Sequence, residues 1–405
     1  MEELKNNFNP KSIIDILTLR YDTNQVSPLK KLFWKDFVPQ NNVSLENIEK
    51  NLNESITTSV GNNEPKSIAI ALSGGIDSTL TLAVLKKKFP NTKFDAISIK
   101  FSDSTDETID AKKIADANNI DHHVIEIENY LEELPKAISI IKLPFWDLHW
   151  YYVAKKAKEF SRFLAAGDGG DELFGGYTFR YKKFLTLVSE KSTPKEKVLA
   201  YLDCHERDRV SDQEKIFGEK MNFQWSYIHS ILLPYFDNSL PILEQVFLAD
   251  YNGKLLYNFA PINSRINDYY GITSITPILS NGMINYATHI SSEQKYDFNN
   301  DIGKIPLRKI LSKYKMDSYI TDKKLGFSVN TINLWKNFGE KICREFLLDS
   351  KVAKDGWIND EWIKKHIHKN ELDVKYVNKF LGLLAVEIWY RIFITNEMDP
   401  NVKLN

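Results

Sequence analysis

A short apolar run, Ser67 to Leu72, leads directly into Ser73-Gly74-Gly75-Ile76-Asp77-Ser78, and a helix-periodic stretch from Thr79 to Phe89 follows. Strand, glycine turn and helix in that order restrict the fold more than any other feature of the chain. A helix that begins at once after a strand folds back over the sheet, so the next strand lies parallel to the first. The alternation continues: Phe94 to Phe101, His123 to Ile127 and Phe163 to Ala166 read as strands, and Asp110 to Asn118 and Trp150 to Phe160 as helices. From about residue 65 to about 175 the spacing predicts an α/β architecture, a parallel sheet sandwiched by helices on both faces.

Upstream, Leu45, Ile48, Leu52 and Ile56 recur at helical spacing behind Ser44, which suits an N-cap, and Asn62-Asn63-Glu64-Pro65 ends that pattern. Beyond Tyr177, aromatic-rich amphipathic segments such as Phe247 to Asp250 and Leu383 to Ile394 predict a mainly helical C-terminal portion. The expected organisation is therefore an N-terminal segment over 1–43, an α/β core over 44–190 and a mainly helical part over 191–405.

In a parallel sheet, ligands bind at the carboxyl ends of the strands, where helix N-termini aim their amides at anions. Ser73 to Ser78 occupies that place. Gly74 and Gly75 let the backbone come close to phosphate oxygens, and Ser73 and Ser78 add hydroxyl donors. Asp77 would repel phosphates, and a Mg²⁺ ion between them removes the conflict. A second turn, Gly167-Asp168-Gly169-Gly170-Asp171-Glu172 through Gly175-Gly176-Tyr177, places three acids among five glycines after a strand. Such a turn can bring carboxylates to a metal already held by phosphate.

Formal net charge is −1, from 53 basic and 54 acidic residues, so no global field favours nucleic acid or membrane. No stretch approaches about 18 uninterrupted apolar residues. Two cysteines, Cys204 and Cys343, make no disulfide framework, and with no apolar run at Met1 to Lys5 the expectation is a cytoplasmic protein. His122-His123 and the His366-x-His368 pair read as structural, and Trp146, Trp150, Tyr151 and Tyr152 as core.

The two glycine motifs together resemble the synthetase domain of the asparagine synthetase family, which includes β-lactam synthetases and lasso-peptide cyclases. Asp106-Glu107, the spacing from Asp250 to Arg265, Gly303-Lys304 to Arg308, Lys324-Leu325-Gly326-Phe327 and the segment with Glu387, Trp389 and Arg391 extend the resemblance from about Ser44 onward. It implies the HUP-like ATP-pyrophosphatase fold. It implies that Leu72, Ile99 and Gly167 contact the adenosine of ATP, that Ser73, Gly74, Gly75 and Ser78 hold its pyrophosphate, and that Asp77 and Asp171 bind Mg²⁺. Lys324 would stabilise charge at the α-phosphate with Lys304 in support, because adenylation builds negative charge there. Asp168 would take a proton from the incoming amine, or serve as a structural turn residue.

The implied activity is an AMP-forming carbon–nitrogen ligase that adenylates a carboxylate for attack by ammonia or an amine, as in asparagine biosynthesis. An intramolecular amide cyclase, or a nucleotide-binding subunit without turnover, stands as the alternative. Position 2 is Glu2 rather than the cysteine nucleophile of the family's glutaminase domain, so a separate glutaminase subunit is an admissible partner, as is a second copy of the chain. Thr18-Leu19-Arg20-Tyr21 and Leu32-Phe33-Trp34-Lys35 resemble the last strands of such a domain, which makes 1–43 a remnant of it. Where the family has Gly-Leu-Glu-Val-Arg-Val-Pro-Phe-Leu-Asp, this chain has Gly271 to Ser280, with Thr273, Ile275 and Ser280 in place of the glutamate, arginine and aspartate; Ser264 replaces a further aspartate beside Arg265. Losing the arginine removes a bidentate carboxylate clamp, so the acceptor side is expected to differ.

Overall fold

β1, Ser67–Ala71, is the centre of a five-stranded parallel sheet whose order is β3-β2-β1-β4-β5, with β2 at Lys93–Phe101, β3 at Asp121–Ile127, β4 at Phe163–Ala165 and β5 at Thr273–Ile275. The computed structural model describes residues 8–102, 104–106, 108–320, 329–369 and 371–405. Ala71 pairs with Ile97 on one side of β1, and Ala69 with Leu164 on the other. The chain steps from β1 to β2 to β3 in one direction, then returns past β1 to β4. Right-handed crossovers in opposite directions put their helices on opposite faces. The helices α3 (Ile76–Lys88) and α4 (Thr108–Ala117) make the outward steps, and α6 (His149–Ala157), preceded by α5 (Leu134–Ile141), lies on the return. The strand order reverses between β1 and β4, so the turns leaving their carboxyl ends diverge and open a crevice there.

β1 is buried on both faces, as its uninterrupted Ile68-Ala69-Ile70-Ala71 run requires. Burial of Ile68 and Ile70 contributes about 1.5–3 kcal/mol each. α3 is buried all round its first turns, from Ser78 to Leu85. Two threonines on it satisfy their hydroxyls within the helix: Thr79 Oγ1 donates to Gly75 O (2.7 Å) and Thr81 Oγ1 to Asp77 O (2.9 Å). The helix α2, Leu45–Val60, is capped by Ser44, whose side chain accepts from Asn47 N–H.

Beyond residue 190 the chain is mainly helical and is centred on the long buried helix Val374–Phe393. One strand in this part was not expected: β5 pairs with β4 through Phe163 to Ala165 and completes the sheet from beyond residue 190. Three residues flanked by Gly271 and Pro277 carry too little alternation to register as a strand alone.

The segment 8–43 contains no strand. Thr18 and Leu19 close the helix α1, Pro10–Leu19, and Leu32 to Lys35 lead into a 3-10 turn at Trp34–Phe37. Asn9 caps α1, Pro10 opens it, and Ile13, Ile14, Ile16 and Leu17 are buried at helical rather than alternating spacing. The segment is tied to the second half of the chain: Leu32 N–H donates to Asn252 Oδ1 (3.0 Å), Asn252 Nδ2 donates to Leu32 O (2.8 Å), and Gln213 Nε2 donates to Leu17 O (3.0 Å). Among the described residues, no helix is long and apolar enough to cross a membrane.

Candidate functional site

The turn leaving β1 closes on itself before α3 begins. Gly74 takes φ +75°, Gly75 is the N-cap of α3, and Ser78 Oγ accepts from Ser73 N–H (3.4 Å) and donates to Gly75 O (3.2 Å). The first amides of a 13-residue helix thus face the crevice between β1 and β4, where an anion is stabilised by aligned N–H dipoles.

The turn leaving β4 packs directly on this loop. Gly167 lies against the backbone of Asp77 and Ser78, and a Cβ at Gly170 would stand 2.2 Å from Asp77 Oδ1. Only a residue without a side chain lets the two turns approach so closely. The short helix α7, Gly170–Phe174, then presents Asp171 toward Asp77. Lys304, in left-handed conformation at the start of the helix Ile305–Lys313, donates its N–H to Phe174 O (3.0 Å). Its Nζ lies 2.5 Å from Asp77 Oδ2 and 2.7 Å from Asp171 Oδ1. Burial alone would lower this lysine, but Asp171 and Asp77 together hold it well above the ordinary lysine range. Two carboxylates from different turns therefore converge on one point, and a cation occupies it.

These groups line a cleft of ≈ 580 Å³ that contains Ser73, Asp77, Ser78, Gly167, Asp168 and Asp171, with Gly74 and Gly75 forming the turn itself. Asp168 accepts from Asn263 Nδ2 (3.2 Å), and burial raises its carboxyl above the ordinary aspartate value against the opposing effect of His149. Glu172 turns inward to Tyr177, whose hydroxyl donates to Oε1 (2.6 Å), and burial with Asp171 nearby raises its carboxyl.

The two strand residues differ. Leu72 is fully buried and its backbone is committed, since N–H donates to Ile97 O (2.9 Å) and O accepts from Ser98 Oγ (2.5 Å). Ile97 O faces β1, so Ile99, two residues on, turns its N–H and C=O to the same side, past the last β1 pairing at Ala71. Lys324 lies outside the described residues.

A family model, Asparagine synthase, matches residues 48–391. The chain belongs to the asparagine synthase family. Glutamine-hydrolyzing asparagine synthetase 1 of Bacillus subtilis is 26% identical over 364 residues, which are 81% of this chain and 56% of that protein. Putative glutamine-hydrolyzing asparagine synthetase 2 of Methanocaldococcus jannaschii is 34% identical over 111 residues, 26% of this chain and 22% of that one. The chain thus spans little more than half of the first relative's length. Among solved structures, NMN synthetase from Francisella tularensis is 18% identical, with 52% of this chain and 94% of that one covered and a TM-score of 0.27.

The four altered positions of the family pattern part company. Thr273 and Ser264 line a second cavity of ≈ 430 Å³ that adjoins the first. Ile275 is fully buried on β5, and Ser280 caps the helix Asn281–Thr288 by accepting from Met283 N–H (3.2 Å). Arg265 is spent on structure, with Nη1 donating to Ile141 O (2.5 Å) and Nη2 to Gln25 Oε1 (2.6 Å). Glu387 likewise accepts from Ser350 Oγ (2.7 Å), Lys351 N–H (2.8 Å) and Arg391 Nε (2.6 Å), far along the chain from either glycine turn.

His149, Trp150, Phe259 and Asn263 line the main cleft and were not singled out as site residues. Trp150 is 5% exposed, so its expected place in the core is correct, and one face of that core is the cleft wall. Asn263 immediately precedes the Ser264-Arg265 pair, and that adjacency was the available signal. His122 and His123 lie on β3, where His122 Nε2 is 2.9 Å from Ser98 Oγ and His123 Nε2 is 3.0 Å from Asp95 Oδ1.

Proposed function

We propose that the chain is an ATP-dependent, AMP-forming ligase that joins a carboxylic acid to ammonia or an amine. The observation that carries this reading is the convergence of the Ser73–Ser78 loop, Asp77, Asp171 and Lys304 on one cleft. An amide N-terminus suits the β- and γ-phosphates, and a cation beside it suits charge that develops as pyrophosphate departs.

In the proposed reaction a carboxylate oxygen of the acid attacks the α-phosphorus of ATP. The bond from that phosphorus to the bridging oxygen breaks, and pyrophosphate leaves with the electron pair. The amine nitrogen then bonds the acyl carbon, AMP leaves, and the amine gives up one proton. Asp168, at the border of the two cavities, is the base for that proton, and Asn263 orients it. Asp77 and Asp171 form an all-oxygen pair of the kind that Mg²⁺ takes, and they would hold it. Bound there, the ion would neutralise the phosphate oxygens. Ile99 would meet adenine through its free-facing backbone, with Leu72 giving apolar contact and Gly167 a close backbone approach, while Lys324 would act at the α-phosphate.

Neither thiol suits a nucleophile: burial raises Cys204 to about 11 and Cys343 well above the ordinary thiol value. Nitrogen would therefore come from free ammonia, a substrate amine or a glutaminase subunit.

The test is ATP–pyrophosphate exchange with labelled pyrophosphate over a panel of carboxylic acids. Acid-dependent exchange that disappears in Asp77→Asn is the expected result. Exchange that needs no acid, or that survives Asp77→Asn undiminished, contradicts the reading.

A further inference from the structure

The ≈ 430 Å³ cavity shares Trp150, Asp168, Leu255, Phe259 and Asn263 with the phosphate cleft, so whatever reacts beside Asp168 extends into it. Its size falls among pockets that enclose drug-sized ligands, about 300–1,000 Å³. Pro28, Leu29, Leu255, Phe259, Ile272 and Leu279 give it apolar walls. Among the described residues that line it, the ionisable groups are Asp168 and Asp268, both acids, and no Lys, Arg or His is present.

Several of the polar lining groups are engaged with one another. Trp150 Nε1 donates to Asn267 Oδ1 (2.9 Å), Asn267 Nδ2 donates to Ser274 Oγ (2.5 Å), and Asn263 Nδ2 donates to Asp168 Oδ2 (3.2 Å). Arg265, the nearest guanidinium along the chain, holds Ile141 O and Gln25 instead. A ligand carboxylate entering this space would face Asp168 and, among the described residues that line it, no cation.

We infer that this cavity holds the body of the acid substrate, and that the substrate is a monocarboxylic acid with an uncharged, largely apolar body rather than an amino dicarboxylic acid. The inference rests on the ligase reading above. The reacting carboxylate sits at the Asp168 border, and the rest of the molecule packs between Leu255, Phe259 and Leu29.

The probes are butanoate, hexanoate, 3-phenylpropanoate, succinate and L-aspartate, each in ATP–pyrophosphate exchange with the full chain. Hexanoate and 3-phenylpropanoate should exchange at least tenfold faster than succinate and L-aspartate at equal concentration. From butanoate to hexanoate the KM should improve about fourfold per methylene, the ratio expected for burying one CH₂. Preference for succinate or L-aspartate overturns the inference.

Silence with every acid contradicts the ligase reading, and binding then decides the cavity's chemistry. Saturation-transfer NMR on the ATP-loaded protein should show contact to hexanoate and 3-phenylpropanoate but not to succinate. Contact to succinate, or to none of them, overturns the inference independently of turnover. Thr273→Arg, at an exposed position on β5, adds the missing cation and should move the preference at least tenfold toward succinate with ATP affinity unchanged. An unmoved preference counts against it.

Discussion

Replacing Lys304 with methionine removes an ammonium on which Asp77 and Asp171 converge. The side chain is 12% exposed, against 18% and 22% for the two aspartates, so water compensates little. The distances of 2.5 and 2.7 Å to Nζ place the two carboxylate oxygens within about 5 Å of each other. At that separation and an effective dielectric constant of about 20, two charges repel by about 3 kcal/mol. Breaking a buried pair by removing one partner typically costs about 3–5 kcal/mol, which agrees. At about 1.2 °C per kcal/mol for a chain of this size, Lys304→Met should melt about 4–6 °C below the parent.

The pH dependence gives this prediction its sign. In the parent, Lys304 is held above the ordinary lysine value, so the stability it contributes is fully present below that value and is lost only in strongly alkaline solution. The parent should therefore show no loss from this pair between pH 5 and pH 9. In Lys304→Met, lowering the pH protonates one carboxyl and should recover stability, and millimolar Mg²⁺ should raise the melting temperature more than it does in the parent. The double variant Lys304→Met/Asp171→Asn should regain about 2–3 kcal/mol, since it removes the repulsion as well. Differential scanning fluorimetry and urea unfolding measure all of this. A single variant within about 1 kcal/mol of the parent, indifferent to pH and to Mg²⁺, would refute the convergent-carboxylate account.

Three further outcomes follow from named contacts. Asp168→Asn should lower kcat about 10²–10⁴-fold and abolish the acid limb of the rate profile, because a carboxyl raised by burial loses its proton only above that raised value; a retained acid limb would remove Asp168 from the role of base. Gly170→Ala drives a Cβ to 2.2 Å from Asp77 Oδ1, so stability should fall by about 1–3 kcal/mol and exchange activity at least tenfold, read by urea unfolding and labelled pyrophosphate. Lys295 is buried against Phe247 and lowered to about 7, with Glu244 opposing in part. The unfolded chain then binds more protons above that value, so stability should rise from pH 7 toward the ordinary lysine value of about 10.4, and Lys295→Met should flatten part of that rise in urea titrations at successive pH values.

Local order along the chain determined a good deal of this protein. An apolar run, two glycines and a periodic stretch are enough to specify strand, turn and helix, because each depends on neighbours a few residues away. Four of the five strands, the crevice loop and the acidic glycine turn were legible for that reason. Ser73, Asp77, Ser78, Gly167, Asp168 and Asp171 all line one cleft, and Lys304 reaches two of them.

Only the tertiary structure decided which faces those residues share. β5 gains its partner from 110 residues earlier in the chain, since Ser274 pairs in register with Leu164 only when the sheet closes around β4. Thr18 to Tyr21 resembles a closing strand of the family's glutaminase domain, yet Thr18 and Leu19 close α1, whose Ile13, Ile14 and Leu17 are buried. Ile275 and Thr273 are two residues apart on one strand and so share a face, and the strand alone does not say where along that face the core ends. Packing sent Ile275 inward and left Thr273 on the wall of the second cavity. The loop that leaves β1 is thus set by neighbouring residues, while the shape and charge of the space beside it come from residues that meet only across the fold.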